Sequence, residues 1–144
     1  MTIQPITGIL SGVLLLSLVT VESGGWFLTR VVRGAVPANG LQRAFFRAGH
    51  AHAGVLLVLS LAILALLDGA GLPFGLHLAA ALGAPIAAIL MPAGFFLSVL
   101  GRDPQRPGRA VALLWTGGAV LAAGLVLAGV LLIMSGAGAF PEPN

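Results

Sequence analysis

His50 and His52 lie two residues apart in the segment RAGHAHAG, residues 47–54, inside a stretch that is otherwise apolar. An ionisable side chain within a membrane costs free energy, about 2.5–3.5 kcal/mol for the charged types on insertion scales. Such a residue therefore usually has a hydrogen-bonding or ionic partner, or a functional role. Neutral imidazole is also the commonest metal ligand among protein side chains. The two histidines therefore predict a metal or haem site within a bilayer.

The spacing of the two histidines limits what they can do together. Residues i and i+2 are about 200° apart on a helix, so His50 and His52 point to nearly opposite faces and cannot chelate one ion together. One of them can bind a cofactor while the other faces a neighbouring helix or subunit. The small residues Gly49 and Gly54 near His52 would let a large planar group approach closely, which is consistent with haem and also with plain helix packing.

Glu22 and Met91 lie at a similar depth to the histidines. At 1.5 Å per residue the histidines are ~9–12 Å inside the second apolar stretch, and Glu22 is ~10 Å from the end of the first. Glu22 could orient a ligating histidine through the second ring nitrogen. Alternatively, it could pair near the membrane surface with an arginine, for which the candidates are Arg30, Arg43 and Arg47. The sequence leaves both alternatives open.

The composition is that of an integral membrane protein. Of the 144 residues, 58% are hydrophobic and only 8% are charged, whereas a soluble domain is about 25% charged. The chain has no cysteine, which excludes disulfides, thiolate metal sites, Fe–S clusters and cysteine nucleophiles. The length predicts a single transmembrane domain over residues 1–144.

Four apolar stretches are long enough to span a membrane, since about 20 residues cross a ~30 Å hydrocarbon core. We expect the spans at residues 5–29, 44–67, 73–100 and 109–134. Their apolar runs are continuous, whereas strands of a membrane barrel would alternate. The sequence therefore predicts an all-α integral membrane four-helix bundle with antiparallel up-down topology. We expect His77, near the outer end of the third span, to be an interfacial residue.

The basic residues predict the orientation of the bundle. All seven are arginines that flank the first linker or lie in the third, namely Arg30, Arg33, Arg43, Arg47, Arg102, Arg106 and Arg109. The positive-inside rule then places the linkers 30–43 and 101–109 in the cytoplasm and both termini outside. Arginines at the ends of apolar stretches indicate topology, so we expect the lipid bilayer and no nucleic acid as a partner.

Pairs of small residues four positions apart predict close helix contacts. They occur at Gly8/Gly12, Ala79/Gly83, Ala80/Ala84 and Gly124/Ala128. Such pairs let helices approach closely, either within the bundle or between subunits. Because a four-helix membrane protein of this size often assembles, we expect a homo-oligomer.

Three short segments resemble the small four-helix membrane isomerases typified by styrene oxide isomerase. The segment AHAG, residues 51–54, is similar to the histidine-containing run that opens that family's second helix. The segment AGFFL, residues 93–97, followed by GRDP, residues 101–104, is similar to the end of the third helix. The resemblance covers about residues 44–108 and extends to the number of spans and the chain length.

The resemblance implies haem b held by a histidine of the second helix near the subunit contacts of a trimer. His52 would be the axial ligand, with His50 as the alternate. The iron would act as a Lewis acid on an epoxide oxygen and open the ring of a small hydrophobic substrate toward an aldehyde. That family surrounds its substrate with tyrosine, asparagine and aspartate. This chain has no tyrosine and has its asparagines, Asn39 and Asn144, in a linker and a tail. The resemblance therefore supports haem binding more strongly than it supports epoxide isomerisation.

Two other functions stay open. The first is a non-catalytic haem protein for electron transfer or sensing, in which His50 or Met91 of a neighbouring subunit supplies a second iron ligand. The second is a cofactor-free small transporter or assembly subunit, in which Glu22 and the histidines relay protons or ions. Small multidrug exporters also have four spans and a glutamate in the first, although Glu22 lies near the end of its span rather than at the middle.

Overall fold

The computed structural model describes residues 4–140 and is helical, as the sequence predicts. Four helices form a bundle over these residues: α1 (Pro5–Val32), α2 (Gly40–Asp68), α3 (Phe74–Leu97) and α4 (Ala112–Gly136). A single 3-10 turn, Arg109–Val111, leads into α4. Each of the four is long and apolar enough to cross a membrane.

Helices α1 and α2 extend beyond the apolar stretches toward each other. Helix α1 continues to Val32, and the chain then turns at Gly34, whose φ of 75° favours glycine. Helix α2 begins at Gly40 because Asn39 caps it: the Asn39 side chain accepts from the Gln42 backbone N–H at 2.9 Å. The Gln42 side chain accepts in return from the Asn39 N–H at 3.1 Å, which completes a capping box.

The loops of residues 33–39 and 98–111 meet at what we call the arginine end of the bundle, because all seven arginines lie in these loops or on the helix ends beside them. The buried Gln42 side chain donates to the carbonyls of Val99 and Gly101, each at 3.1 Å. The Asn39 side chain donates to the Asp103 carboxylate at 2.8 Å. These bonds hold the two loops together across the end of α2.

Helix α3 is the centre of the bundle, since it packs extensively against both α2 and α4, while α1 packs mainly on α2. Helices α3 and α4 make a close contact at Gly83 and Gly124, where a Cβ built on Gly83 would lie 2.6 Å from the Gly124 Cα. Two of the predicted small-residue pairs thus contribute to packing within the chain. By contrast, Gly8 and Gly12 on α1 have open space around them.

The opposite end of the bundle contains a buried histidine. His77 is fully buried rather than interfacial, so the expectation from the sequence is wrong. Its Nε2 lies 3.2 Å from the Thr7 hydroxyl of α1, while its Nδ1 has no hydrogen-bond partner among residues 4–140. This hydrogen bond joins the first turn of α1 to the first turn of α3.

Candidate functional site

His52 projects from α2 beside Phe95 of α3 and is half-buried. Its Nδ1 lies 2.8 Å from the Ala48 carbonyl oxygen one turn earlier. Because a carbonyl only accepts, the hydrogen bond assigns the ring proton to Nδ1 and leaves the lone pair on Nε2. The ring centroids of His52 and Phe95 are 4.9 Å apart. Metal-ligating histidines usually have this arrangement: one ring nitrogen donates to a carbonyl, and the other is available to bind the metal.

The two glycines near His52 serve helix packing in this structure. A Cβ built on Gly49 would lie 2.8 Å from a ring carbon of Phe96 and 3.0 Å from the Phe95 Cβ. Gly49 therefore lets the aromatic end of α3 pack directly on α2. Gly54 faces α1, where a Cβ would lie 3.9 Å from a methyl group of Val21. Of the two explanations that the sequence left open for these glycines, the geometry favours packing.

His50 faces α1, so the two histidines contact different neighbouring helices. A Cβ built on Gly24 would lie 3.4 Å from the His50 Nδ1, and one on Gly25 would lie 3.5 Å from its Nε2. The two consecutive glycines of α1 thus make room for the His50 ring. Sequence reasoning missed them, although an adjacent glycine pair opposite a histidine at the same depth is a usable signal.

Glu22 is exposed on the surface of α1. No pair of carboxylate and arginine or histidine lies within 4.0 Å among residues 4–140. Arg30 instead stacks over the Trp26 ring, with its guanidinium carbon 5.0 Å from the centroid. The structure therefore brings Glu22 to neither of its expected partners within one chain.

Met91 packs toward α4 and not into a shared site with the histidines. A Cβ built on Gly117 would lie 2.6 Å from the Met91 Cγ. Among residues 4–140 there is no group of three or more histidine or acidic side chains that could hold a metal ion. His52 is the histidine whose Nδ1 is held by a backbone carbonyl.

An apolar cavity of about 310 Å³ lies between α1, α2 and α3. Two hydroxyl residues, Ser17 and Thr20, line it on α1, and Leu57 and Pro85 contribute apolar walls from α2 and α3. Ala53 is part of its lining but His52 is not, because successive residues of a helix point about 100° apart. The cavity has room for a small apolar ligand beside Ala53, the next residue after His52 on α2.

No protein-family model, curated protein or solved structure matches this chain. The function is therefore inferred from the geometry of His52 and its neighbours.

Proposed function

We propose that this chain is an integral membrane protein whose four helices cross the bilayer in alternating directions. Their length and hydropathy support insertion. The arginines of loops 33–39 and 98–111 gather at one end, while the opposite end has no arginine in its loop, residues 69–73. The positive-inside rule then assigns the arginine end to the cytoplasm and both termini to the outside.

In this proposal the protein binds haem b, and Nε2 of His52 would hold the iron. One observation carries it: the 2.8 Å hydrogen bond from Nδ1 to the Ala48 carbonyl fixes both the tautomer and the direction of the ring. Phe95, 4.9 Å away between ring centroids, is an apolar wall on one side of the imidazole. A haem iron with one protein ligand would supply an open coordination position that can polarise a substrate oxygen.

The proposed activity is isomerisation of a small hydrophobic substrate, such as an epoxide, that enters from the lipid. The apolar cavity of about 310 Å³ beside α1 has room for a ligand of this kind, at a position that His52 does not line. The non-catalytic haem alternative requires a second iron ligand. Within one chain, His50 is packed on Gly25 and Met91 on Gly117, so that ligand would have to come from another subunit. The relay alternative is weaker because Glu22 contacts neither histidine.

A second copy of this chain is the proposed partner. Glu22 is exposed on α1, and a carboxylate that faces lipid is costly. Gly8 and Gly12, on the same helix, leave open space that another helix can occupy. A homo-oligomer would cover this surface and could also cover the open side of His52. The family resemblance implies a trimer.

The visible absorption spectrum tests the haem proposal. The protein is expressed with an added haem precursor and purified in detergent, together with the matched variants His52→Ala and His50→Ala. We expect a Soret band in the wild type and in His50→Ala, and its loss in His52→Ala. Free imidazole should restore the band in His52→Gly, which separates loss of the ligand from loss of the fold. A colourless wild type, or a band that survives His52→Ala, would overturn the proposal.

A further inference from the structure

A second cavity, of about 290 Å³, lies between α1 and α2 at the arginine end. The proposed haem site does not use it. Its lining combines apolar side chains of α1 with two basic side chains of α2, namely Leu28, Val31, Val32, Gly40, Arg43 and Arg47. A cavity with apolar walls and paired guanidinium groups fits a ligand that has both an anionic and an apolar part.

Arg43 and Arg47 lack a counter-charge in the described part of the chain. They are one helical turn apart, so both guanidinium groups lie on the same side of α2 and repel each other unless an anion lies between them. Both are exposed, and no carboxylate lies within 4.0 Å of either among residues 4–140. The Asp103 carboxylate, in the loop of residues 98–111, accepts from the Asn39 amide at 2.8 Å.

The depth of the cavity indicates the kind of anion. Since α2 begins at Gly40, Arg43 and Arg47 lie ~5 and ~10 Å along it. That is the level at which lipid headgroups meet the hydrocarbon when the bundle is inserted as proposed. Leu28 lies deeper along α1 than Val32, and these two side chains continue the apolar wall toward the hydrocarbon. Gly40 has open space beside it, which leaves the mouth of the cavity accessible.

We propose that this cavity binds the phosphate group of an anionic phospholipid. Arg43 and Arg47 hold the phosphate oxygens, for which the planar guanidinium is well suited, and an acyl chain lies along Leu28 and Val32. Basic pockets between membrane helices on the cytoplasmic side bind lipid headgroups in this way. The inference rests on the membrane insertion in the proposed function but does not depend on haem.

Native mass spectrometry of the detergent-solubilised protein tests this site. The chain is titrated with phosphatidylglycerol, with phosphatidylcholine and with inorganic phosphate. We compare the wild type with the double variants Arg43→Gln/Arg47→Gln and Arg102→Gln/Arg106→Gln, which remove the same charge from the same end. At about 1 kcal/mol per arginine, we expect the first double variant to bind phosphatidylglycerol about 30-fold more weakly. The affinity of Arg102→Gln/Arg106→Gln for phosphatidylglycerol should change by less than about twofold, because these arginines do not line the cavity.

Three results would overturn the inference. Equal losses in the two double variants would mean that the arginines act only through net charge. Equal binding of the two lipids would exclude a preference for the anionic headgroup, and displacement of the lipid by inorganic phosphate at similar concentration would identify free phosphate as the ligand. Because bound lipid is read as added mass with or without haem, these results are independent of His52. Recovery of the chain in the membrane fraction checks insertion separately.

Discussion

The contact between Gly83 and Gly124 predicts how a single methyl group changes the stability of the bundle. A Cβ on Gly124 would lie 2.7 Å from the Gly83 Cα, whereas carbon atoms in ordinary contact are about 3.5–4.0 Å apart. In Gly124→Ala the helices α3 and α4 must therefore separate by about 1 Å, a gap that forfeits a quarter to a half of the dispersion energy of the contacts it opens. Overpacking of this kind costs about 1–3 kcal/mol.

Gly129→Ala is the matched control on the same helix. A Cβ at Gly129 has no heavy atom within 4 Å, so this variant keeps the contact and gains the helix preference of alanine, about 0.5–1 kcal/mol. Both variants share that gain. The difference between them isolates the steric cost, and we expect Gly124→Ala to be about 1–3 kcal/mol less stable than Gly129→Ala.

The assay is unfolding in mixed micelles by titration with sodium dodecyl sulfate, followed by circular dichroism and by tryptophan fluorescence. The free energy of unfolding is compared for the wild type, Gly124→Ala and Gly129→Ala under identical micelle conditions. If Gly124→Ala is as stable as Gly129→Ala or more stable, the close contact of α3 with α4 is absent from the folded protein.

Two further predictions concern the opposite end and the sidedness of the protein. Thr7→Val should cost about 1–3 kcal/mol of unfolding free energy because it leaves both nitrogens of His77 without a partner. In a double-mutant cycle, Thr7→Val combined with His77→Leu should cost less than the sum of the single variants, and additive costs would refute the contact. In this cysteine-free chain, Gly69→Cys should react with a membrane-impermeant maleimide on intact cells. Ala35→Cys should react only after permeabilisation, and the reverse pattern would refute the assigned orientation.

The sequence predicts the helices well because the length and hydropathy of the apolar stretches are enough to identify membrane-spanning helices. The spans expected at residues 44–67 and 73–100 correspond to α2 and α3, and the differences lie at their ends. Helix α2 starts earlier because Asn39 and Gln42 form a capping box. Helix α3 ends earlier, at Leu97, and the chain then turns through Gly101, whose φ is 114°. Both ends depend on hydrogen bonds and backbone turns that hydropathy does not detect.

Only those features of the site that depend on the geometry of a single helix could be predicted from the sequence. The angle between His50 and His52 follows from helical spacing, and the two side chains contact α1 and α3 respectively. The role of Gly49 could not be predicted, because the Phe96 ring that fills its space comes from another helix. The burial of His77 likewise depends on which helix ends meet. In each case the missing information is the identity of the neighbouring helix.

The most direct test of the haem assignment is the amount of haem b bound per chain, measured as the pyridine haemochrome. The wild type and His50→Ala should each contain about one haem per chain, and His52→Ala should contain almost none. Equal haem content in the two variants would contradict the assignment of His52, and a wild type without haem under adequate supply would contradict the cofactor itself.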